Sequence, residues 1–240
     1  MNIAVIFAGG VGARMCSREV PKQFLKIHGK PIIIHTIDVF QKHDCIDAIV
    51  VVCITDWLPY CKEILQQYGM TKVVAVVAGG ATGQDSIYNG LCAAEKFSDN
   101  SETIVLIHDG VRPLINTEVI TDNINAVKQH GSAITCACVK ETVLEVNEDC
   151  LVKSIPQRSQ LRVARAPQSF YLIDILQAHK IAIEKEQHNY VDSASMMKSQ
   201  GKSLFVIDGP TENIKVTTPD DFFCLQAILN SRENRQIYGI

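Results

Sequence analysis

Long apolar runs are missing from this chain of 240 residues. None approaches the ~20 residues that a membrane-spanning helix needs, so no membrane partner is expected. A signal-peptide pattern is missing too, because the apolar residues 3–7 run straight into glycines, and a cytoplasmic location is expected. Neither sign of charge is in excess: 23 Lys and Arg stand against 26 Asp and Glu, for a net charge of −3. That balance gives no general attraction to nucleic acid or to an anionic membrane, so any anion site has to be built locally. The cysteine count is 9, an odd number, and no C-x-x-C pair occurs; the closest two are Cys136 and Cys138. The ligand spacing of a zinc site is therefore lacking. Cys53, Cys136 and Cys138 sit in apolar strand-like runs, where a thiol behaves as a small hydrophobe, and buried reduced thiols are expected. Repeats, low-complexity tracts and linkers are also absent, which leaves a single domain over residues 1–240 with a sizeable core.

What is present begins with glycine. The run 3–7 reads as a buried strand and leads into Phe7-Ala8-Gly9-Gly10-Val11-Gly12-Ala13-Arg14-Met15, followed by Pro21-Lys22-Gln23-Phe24-Leu25. Glycines let the backbone come close to a phosphate and turn successive N–H groups toward it. Arg14 and Lys22, the latter read as an exposed lysine on the rim, add the charge that a triphosphate and its transition state require. Two better-known glycine loops are excluded by spacing. A dinucleotide fingerprint needs glycine where Met15 stands, and a Walker loop needs Gly-Lys-Ser/Thr, which is absent. A nicotinamide dehydrogenase is disfavoured further, since the second strand ends near Cys53, too late for an acidic ribose ligand about 20 residues past the glycines.

Apolar strand-like runs recur at 3–7, 48–53, 73–77, 104–108 and 133–139, with helix-like segments between them at 31–41, 56–68, 85–97 and 117–130. Pro31 suits a first helical position, and Asn116 or Thr117 suits a cap. Continuous apolar strands alternating with helices predict an α/β fold, a Rossmann-like and mostly parallel sheet with helices on both faces. Ligands of such sheets bind beyond the carboxyl ends of the strands. The glycine loop, Gly79-Gly80 and Asp109 all fall on that edge. From about 140 to 165 the alternation breaks into a hairpin, with strand-like residues 142–146 and 150–152 around the turn 147–149. An inserted hairpin with unpaired edges is a natural dimerisation arm. A helix at 172–184, strands at 203–207 and 214–216 and a closing helix at 219–230 complete the reading.

Three further stretches matter: Gly79-Gly80-Ala81-Thr82-Gly83-Gln84-Asp85-Ser86, His108-Asp109-Gly110-Val111-Arg112-Pro113 and Asn213-Ile214-Lys215-Val216-Thr217. A weaker one is Ala166-Pro167-Gln168-Ser169-Phe170. Together with the glycine loop and Pro-Lys-Gln-Phe-Leu, they make the chain resemble the cytidylyltransferases that form CDP-polyols, from 2-C-methyl-D-erythritol 4-phosphate or ribitol 5-phosphate. The resemblance implies that a polyol phosphate oxygen attacks the α-phosphorus of CTP and releases pyrophosphate, with Mg²⁺ on the triphosphate. It also implies a homodimer joined by the arm. A phosphate monoester has its second pKa at about 6, so no general base is needed. Catalysis becomes positioning and neutralisation of charge.

The family's roles carry over residue by residue. The resemblance assigns the triphosphate contacts to Arg14, Lys22 and Lys215, and the nucleotide cradle to Ala8, Gly9, Gly10, Gly12, Gly79, Gly80 and Ser86. It assigns the acceptor to Asp109, Arg112, Thr142 and Arg158, the last reaching in from a neighbouring subunit, and places Asp109 near the metal. Plainer readings stand beside these: Lys215 as a solvent-facing edge-strand lysine, Asp109 as an Asx-turn or cap, Arg112 as a loop-tying salt bridge, His108 as a structural histidine. The chain has Gly83 and Ala166 where the methylerythritol pattern has arginine and threonine, and Glu141-Thr142 for Asp-Thr; Arg165 could stand in for the side chains missing there. These departures lean toward the ribitol branch. The alternatives are a sugar-phosphate nucleotidyltransferase, which would lack His-Asp-Gly-Val-Arg-Pro, and a non-catalytic nucleotide-binding module, which would have no need of Lys215.

Overall fold

β-Branched and other apolar residues fill the runs that become the inner strands, and every residue of Ala48–Cys53 and Ile104–Asp109 is buried. The computed structural model describes residues 1–9, 20–98 and 102–238. In chain order its elements are β1 (Asn2–Ala8), β2 (Lys26–Ile27), β3 (Lys30–Pro31), α1 (Ile32–Gln41), β4 (Ala48–Cys53), α2 (Leu58–Gln67), β5 (Val73–Ala78), α3 (Gly83–Glu95) and β6 (Ile104–Asp109). There follow α4 (Thr117–His130), β7 (Ser132–Cys138), β8 (Glu145–Val146), β9 (Val152–Ser154), β10 (Arg162–Tyr171), α5 (Leu172–Glu184), α6 (Ser193–Ser199), β11 (Val206–Asp208) and α7 (Pro219–Tyr238).

The main sheet runs β11-β7-β10-β6-β1-β4-β5. Only β10 is antiparallel to its neighbours, lying between β6 and β7. Period-2 alternation sends Ala4, Ile6 and Ala8 of β1 into one core layer, with Phe40, Ile64 and Ile120 from α1, α2 and α4. The same alternation sends Ile3 and Val5 into the other, with Leu91, Ile175 and Met196 from α3, α5 and α6. Helices thus cover both faces, as the near-continuous apolar strands require. Among the described residues no helix is long and apolar enough to cross a membrane.

Several expectations shift. Pro31 lies in β3 with ψ 144, so the helix starts one residue later, at Ile32. The helix 117–130 stands as expected, capped by the Asn116 side chain, which accepts from the Val119 N–H at 3.1 Å. The hairpin is real but shorter and displaced, with Glu145 opposite Ser154. Residues 214–216 form no strand; they are an extended strap held by the Val216 N–H donating to the Val111 carbonyl at 3.0 Å. Cys53 and Cys136 are buried, whereas Cys138, at the end of β7, is exposed. β10 and α6 were not expected. Pro167 reads as a strand breaker, and β10 accommodates it where its register on β7 shifts, between Ala164 and Gln168.

Candidate active site

Strands β1, β4, β5 and β6 run parallel, so their carboxyl ends share one rim. Gly9 leaves β1 there and Gly79 leaves β5, and they pack so closely that a Cβ on either would sit 2.8 or 2.9 Å from the Ser86 Oγ. A Cβ on Gly80 would collide with Asp85 at 2.2 Å. Close approach of Ser86 and Asp85 thus calls for glycine at these three positions. The Ser86 hydroxyl accepts from the Gly80 N–H at 3.0 Å and donates to the Thr82 carbonyl at 2.9 Å, so it holds this turn together. Thr82 and Asp85 form a reciprocal capping box that starts α3 on the rim and leaves the helix's N-terminal end facing it. Gly10, Gly12 and Arg14 lie outside the described residues.

The Pro-Lys-Gln-Phe-Leu stretch is a clamp as well as a charge. A single 3₁₀ turn, Lys22–Phe24, aims the Gln23 amide at the Ala8 carbonyl, 2.8 Å away at the end of β1, and stacks Phe24 on Trp57 with ring centroids 5.1 Å apart. Lys22 was read as an exposed rim lysine. It is instead 9% exposed, and its Nζ donates to the Val216 carbonyl at 3.0 Å. The glycine strand and the strap are thereby drawn to one point.

The strap delivers Lys215. Its Nζ lies 2.6 Å from Asp109 Oδ1, while Arg112 Nε lies 2.7 Å from Oδ2. Burial alone pushes the Asp109 carboxyl up, but the charges of Lys215 and Arg112 outweigh it and hold the pKa at about 2. Arg112 also donates to the Asn213 carbonyl at 3.0 Å, so it ties the loop down and organises the carboxylate at once. His108 is fully buried; its Nε2 faces the Arg112 carbonyl at 3.1 Å, and burial lowers its pKa to about 4. It is a neutral structural histidine, as read.

Beside this cluster opens a cavity of about 530 Å³, floored by Phe7, Ile107 and Ile87 and walled by β10 and the segment 188–193. Two glutamines that sequence reasoning passed over fix that segment. The Gln84 amide donates to the Gln187 carbonyl at 2.9 Å and its Oε1 accepts from the Tyr190 N–H at 3.2 Å. The Gln168 amide donates to Asp192 Oδ2 at 2.8 Å, and its Oε1 accepts from the Ala194 N–H at 2.9 Å. Gln168 lay within the Ala-Pro-Gln stretch, but nothing near 188–192 marked a cavity wall. Gly83 has no atom within 4 Å of where its Cβ would be, and Ala166 and Arg165 line the cavity beside it. Thr142 is exposed, and Arg158, also exposed, donates to the Lys140 carbonyl at 3.0 Å on the arm. Neither is brought to the cavity of its own chain.

The donor set decides whether a divalent cation fits. Both Asp109 oxygens are engaged by cations, and the described residues bring together no group of three His, Cys, Asp or Glu. Among the described residues no protein-held metal centre is assembled, and in this pairing both Asp109 oxygens already face cations.

Cations gathered where a parallel sheet ends, next to a glycine turn and a ligand-sized cavity, suit transfer of a nucleotidyl group between phosphates. The class is nucleotidyltransferase. A family model described as IspD, 2-C-methyl-D-erythritol 4-phosphate cytidylyltransferase, matches residues 2–231, and the chain belongs to this cytidylyltransferase family. A Streptococcus agalactiae ribitol-5-phosphate cytidylyltransferase is 53% identical over 240 residues, covering all of both chains. A Clostridium botulinum 2-C-methyl-D-erythritol 4-phosphate cytidylyltransferase is 37% identical, covering 95% of this chain and 97% of that one. The crystal structure of 4-diphosphocytidyl-2C-methyl-D-erythritol synthase from Anaerococcus prevotii superposes with a TM-score of 0.83 at 28% identity, covering 95% and 96%.

Proposed function

We propose that this enzyme transfers the cytidylyl group of CTP to D-ribitol 5-phosphate, giving CDP-ribitol and pyrophosphate in the cytoplasm. One observation carries the reading: the buried Asp109 pairs with the buried Arg112 and with the exposed Lys215 in a cluster that lines the cavity. The 53% identical relative named for ribitol 5-phosphate supports this acceptor over methylerythritol phosphate.

In this reading an oxygen of the acceptor phosphate attacks the α-phosphorus, the bond from that phosphorus to the bridging β-phosphate oxygen breaks, and pyrophosphate departs. The acceptor is already dianionic near pH 7, so the protein abstracts no proton. Gly9, Gly79 and Gly80 let the ends of β1 and β5 and the start of α3 close into one turn beside the nucleotide, and Arg14, Lys22 and Lys215 offset the charge that builds on the α-phosphate and leaving group. A divalent cation such as Mg²⁺, arriving with the triphosphate, would supply further charge neutralisation. Lys215 has to divide its charge between Asp109 and the reacting phosphates, and Arg112 keeps Asp109 ionised when it does.

The arm supports a homodimer. Leu151, Val152 and Ile155 are 65%, 54% and 64% exposed, apolar side chains on one short arm of the kind that a second subunit would cover. In the dimer, Arg158 and Thr142 reach the partner's acceptor. Sedimentation at micromolar concentration checks this, and a fully active monomer would refute it. For the nucleotide, thermal-shift titration with Mg²⁺ should show stabilisation by CTP well above that by ATP, GTP or UTP; equal shifts from all four would contradict a cytidine pocket.

A further inference from the structure

The polar side chains buried around the cavity are almost all committed. Gln84 and Gln168 spend both amide ends on the segment 187–194, Asp192 caps α6, and Asp109 and Arg112 hold each other. His179 differs. It projects from α5, is 1% exposed, lines the cavity, and neither ring nitrogen has a hydrogen-bond partner among the described residues. Its ring stacks on Tyr88 of α3 with centroids 5.4 Å apart, which fixes its plane. Leaving a buried polar group unmatched is costly, so such a group inside a ligand cavity points to a ligand.

The chemistry of that ligand can be narrowed. Burial lowers the His179 pKa to about 4, so near neutral pH the ring is uncharged, with one N–H donor and one acceptor nitrogen. An anion would use only the donor, and an apolar group would use neither. A hydroxyl uses both. Against burial, the Asp85 carboxylate acts to raise the pKa of this ring. The cavity therefore pairs an ionic cluster with a separate neutral hydrogen-bonding group. A molecule with a phosphate at one end and hydroxyls along an uncharged chain satisfies both.

We propose that His179 is a specificity-determining residue that hydrogen-bonds a hydroxyl of the acceptor's polyol chain, distal to its phosphate. This deepens the reading of the site given above and rests on it. The test compares ribitol 5-phosphate with its 1-deoxy analogue, which lacks the hydroxyl farthest from the phosphate, in unmodified enzyme, His179→Phe and His179→Gln. Unmodified enzyme should favour the parent acceptor about tenfold in kcat/KM, the worth of one neutral hydrogen bond. His179→Phe should lose that factor through the acceptor KM, with the KM for CTP unmoved and the two acceptors nearly equal. His179→Gln, which can still donate and accept, should recover part of the preference.

A His179→Phe enzyme that keeps the full preference would overturn the assignment while leaving the cytidylyltransferase reading intact. Unmodified enzyme that turns over no polyol phosphate would sink both. Should the Phe variant not fold, the ring is read directly. In ¹⁵N-histidine-labelled enzyme, the His179 resonances, assigned by their loss in His179→Gln, should move on adding ribitol 5-phosphate and stay put with inorganic phosphate; no movement with either would count against the contact.

Discussion

Two carboxylates in this molecule hold a lysine at nearly the same distance. Asp109 meets Lys215 at 2.6 Å on the rim of the sheet, and Glu145 meets Lys153 at 2.8 Å on the arm. The Asp109 side chain is 7% exposed and shares a second cation, Arg112, whereas Glu145 and Lys153 are 49% and 66% exposed. On the arm, water solvates both partners whether or not they touch, so the pair is replaceable. On the rim, removing one charge strands another in a poorly solvated place. Equal geometry thus joins a buried carboxylate to a lysine that is 41% exposed in one region and two exposed partners in the other, and burial of the carboxylate is what separates them.

The strongest way to test the rim is Lys22→Met, which deletes a charge while keeping much of the stem. Loss of one preorganised donor costs on the order of 10²–10³ in kcat. The KM for CTP should move less, because the charge matters most in the transition state. The melting temperature should fall as well, since the buried Val216 carbonyl loses its donor. A near-normal kcat would reduce Lys22 to a structural clamp.

Asp109→Asn comes next. It leaves Arg112 buried against a neutral amide, and urea denaturation should show a loss of about 3 kcal/mol, as for other broken buried pairs. A variant as stable as the parent would show that the cluster is far better hydrated than its burial implies.

Acid should expose the same contrast more gently. His108 and His179 each titrate at about 4 in the folded protein, below their ordinary 6.5, so the unfolded chain binds protons first and stability should decline as pH falls from 6.5 to 4. Asp109, held at about 2, contributes stability that is present above its ordinary 3.8 and is lost as pH drops from there toward 2. Melting temperatures across this range check both windows, and His179→Phe should flatten part of the upper one. A flat profile down to pH 4 would contradict neutral buried histidines. The smallest effect belongs to the arm: Glu145→Gln should leave the melting temperature unchanged within error, and a clear drop would put this ion pair inside the proposed dimer contact instead of in water.

The parallel half of the fold was legible because its strands are short apolar runs with a helix after each, and 48–53 and 117–130 fall where the pattern puts them. The other half was not. Pro167 hid β10, and residues 214–216 alternate like a strand yet join no ladder; one backbone hydrogen bond to Val111 and the Lys22 side chain hold them. At the site, sequence motifs located Gly79, Asp109 and Lys215, whose neighbours along the chain carry the signal. They could not show that Lys22 is buried or that Gln84, Gln168 and His179 converge on one cavity, since those residues meet only through the packing of α3, β10 and α5.

The central claim is a cytidylyltransferase that acts on a polyol phosphate, and pyrophosphate release with CTP, Mg²⁺ and a panel of polyol phosphates tests it most directly. The account predicts release with ribitol 5-phosphate at a kcat/KM clearly above that for 2-C-methyl-D-erythritol 4-phosphate. Release favouring the methylerythritol compound would contradict the acceptor, and no release with any polyol phosphate would contradict the function itself.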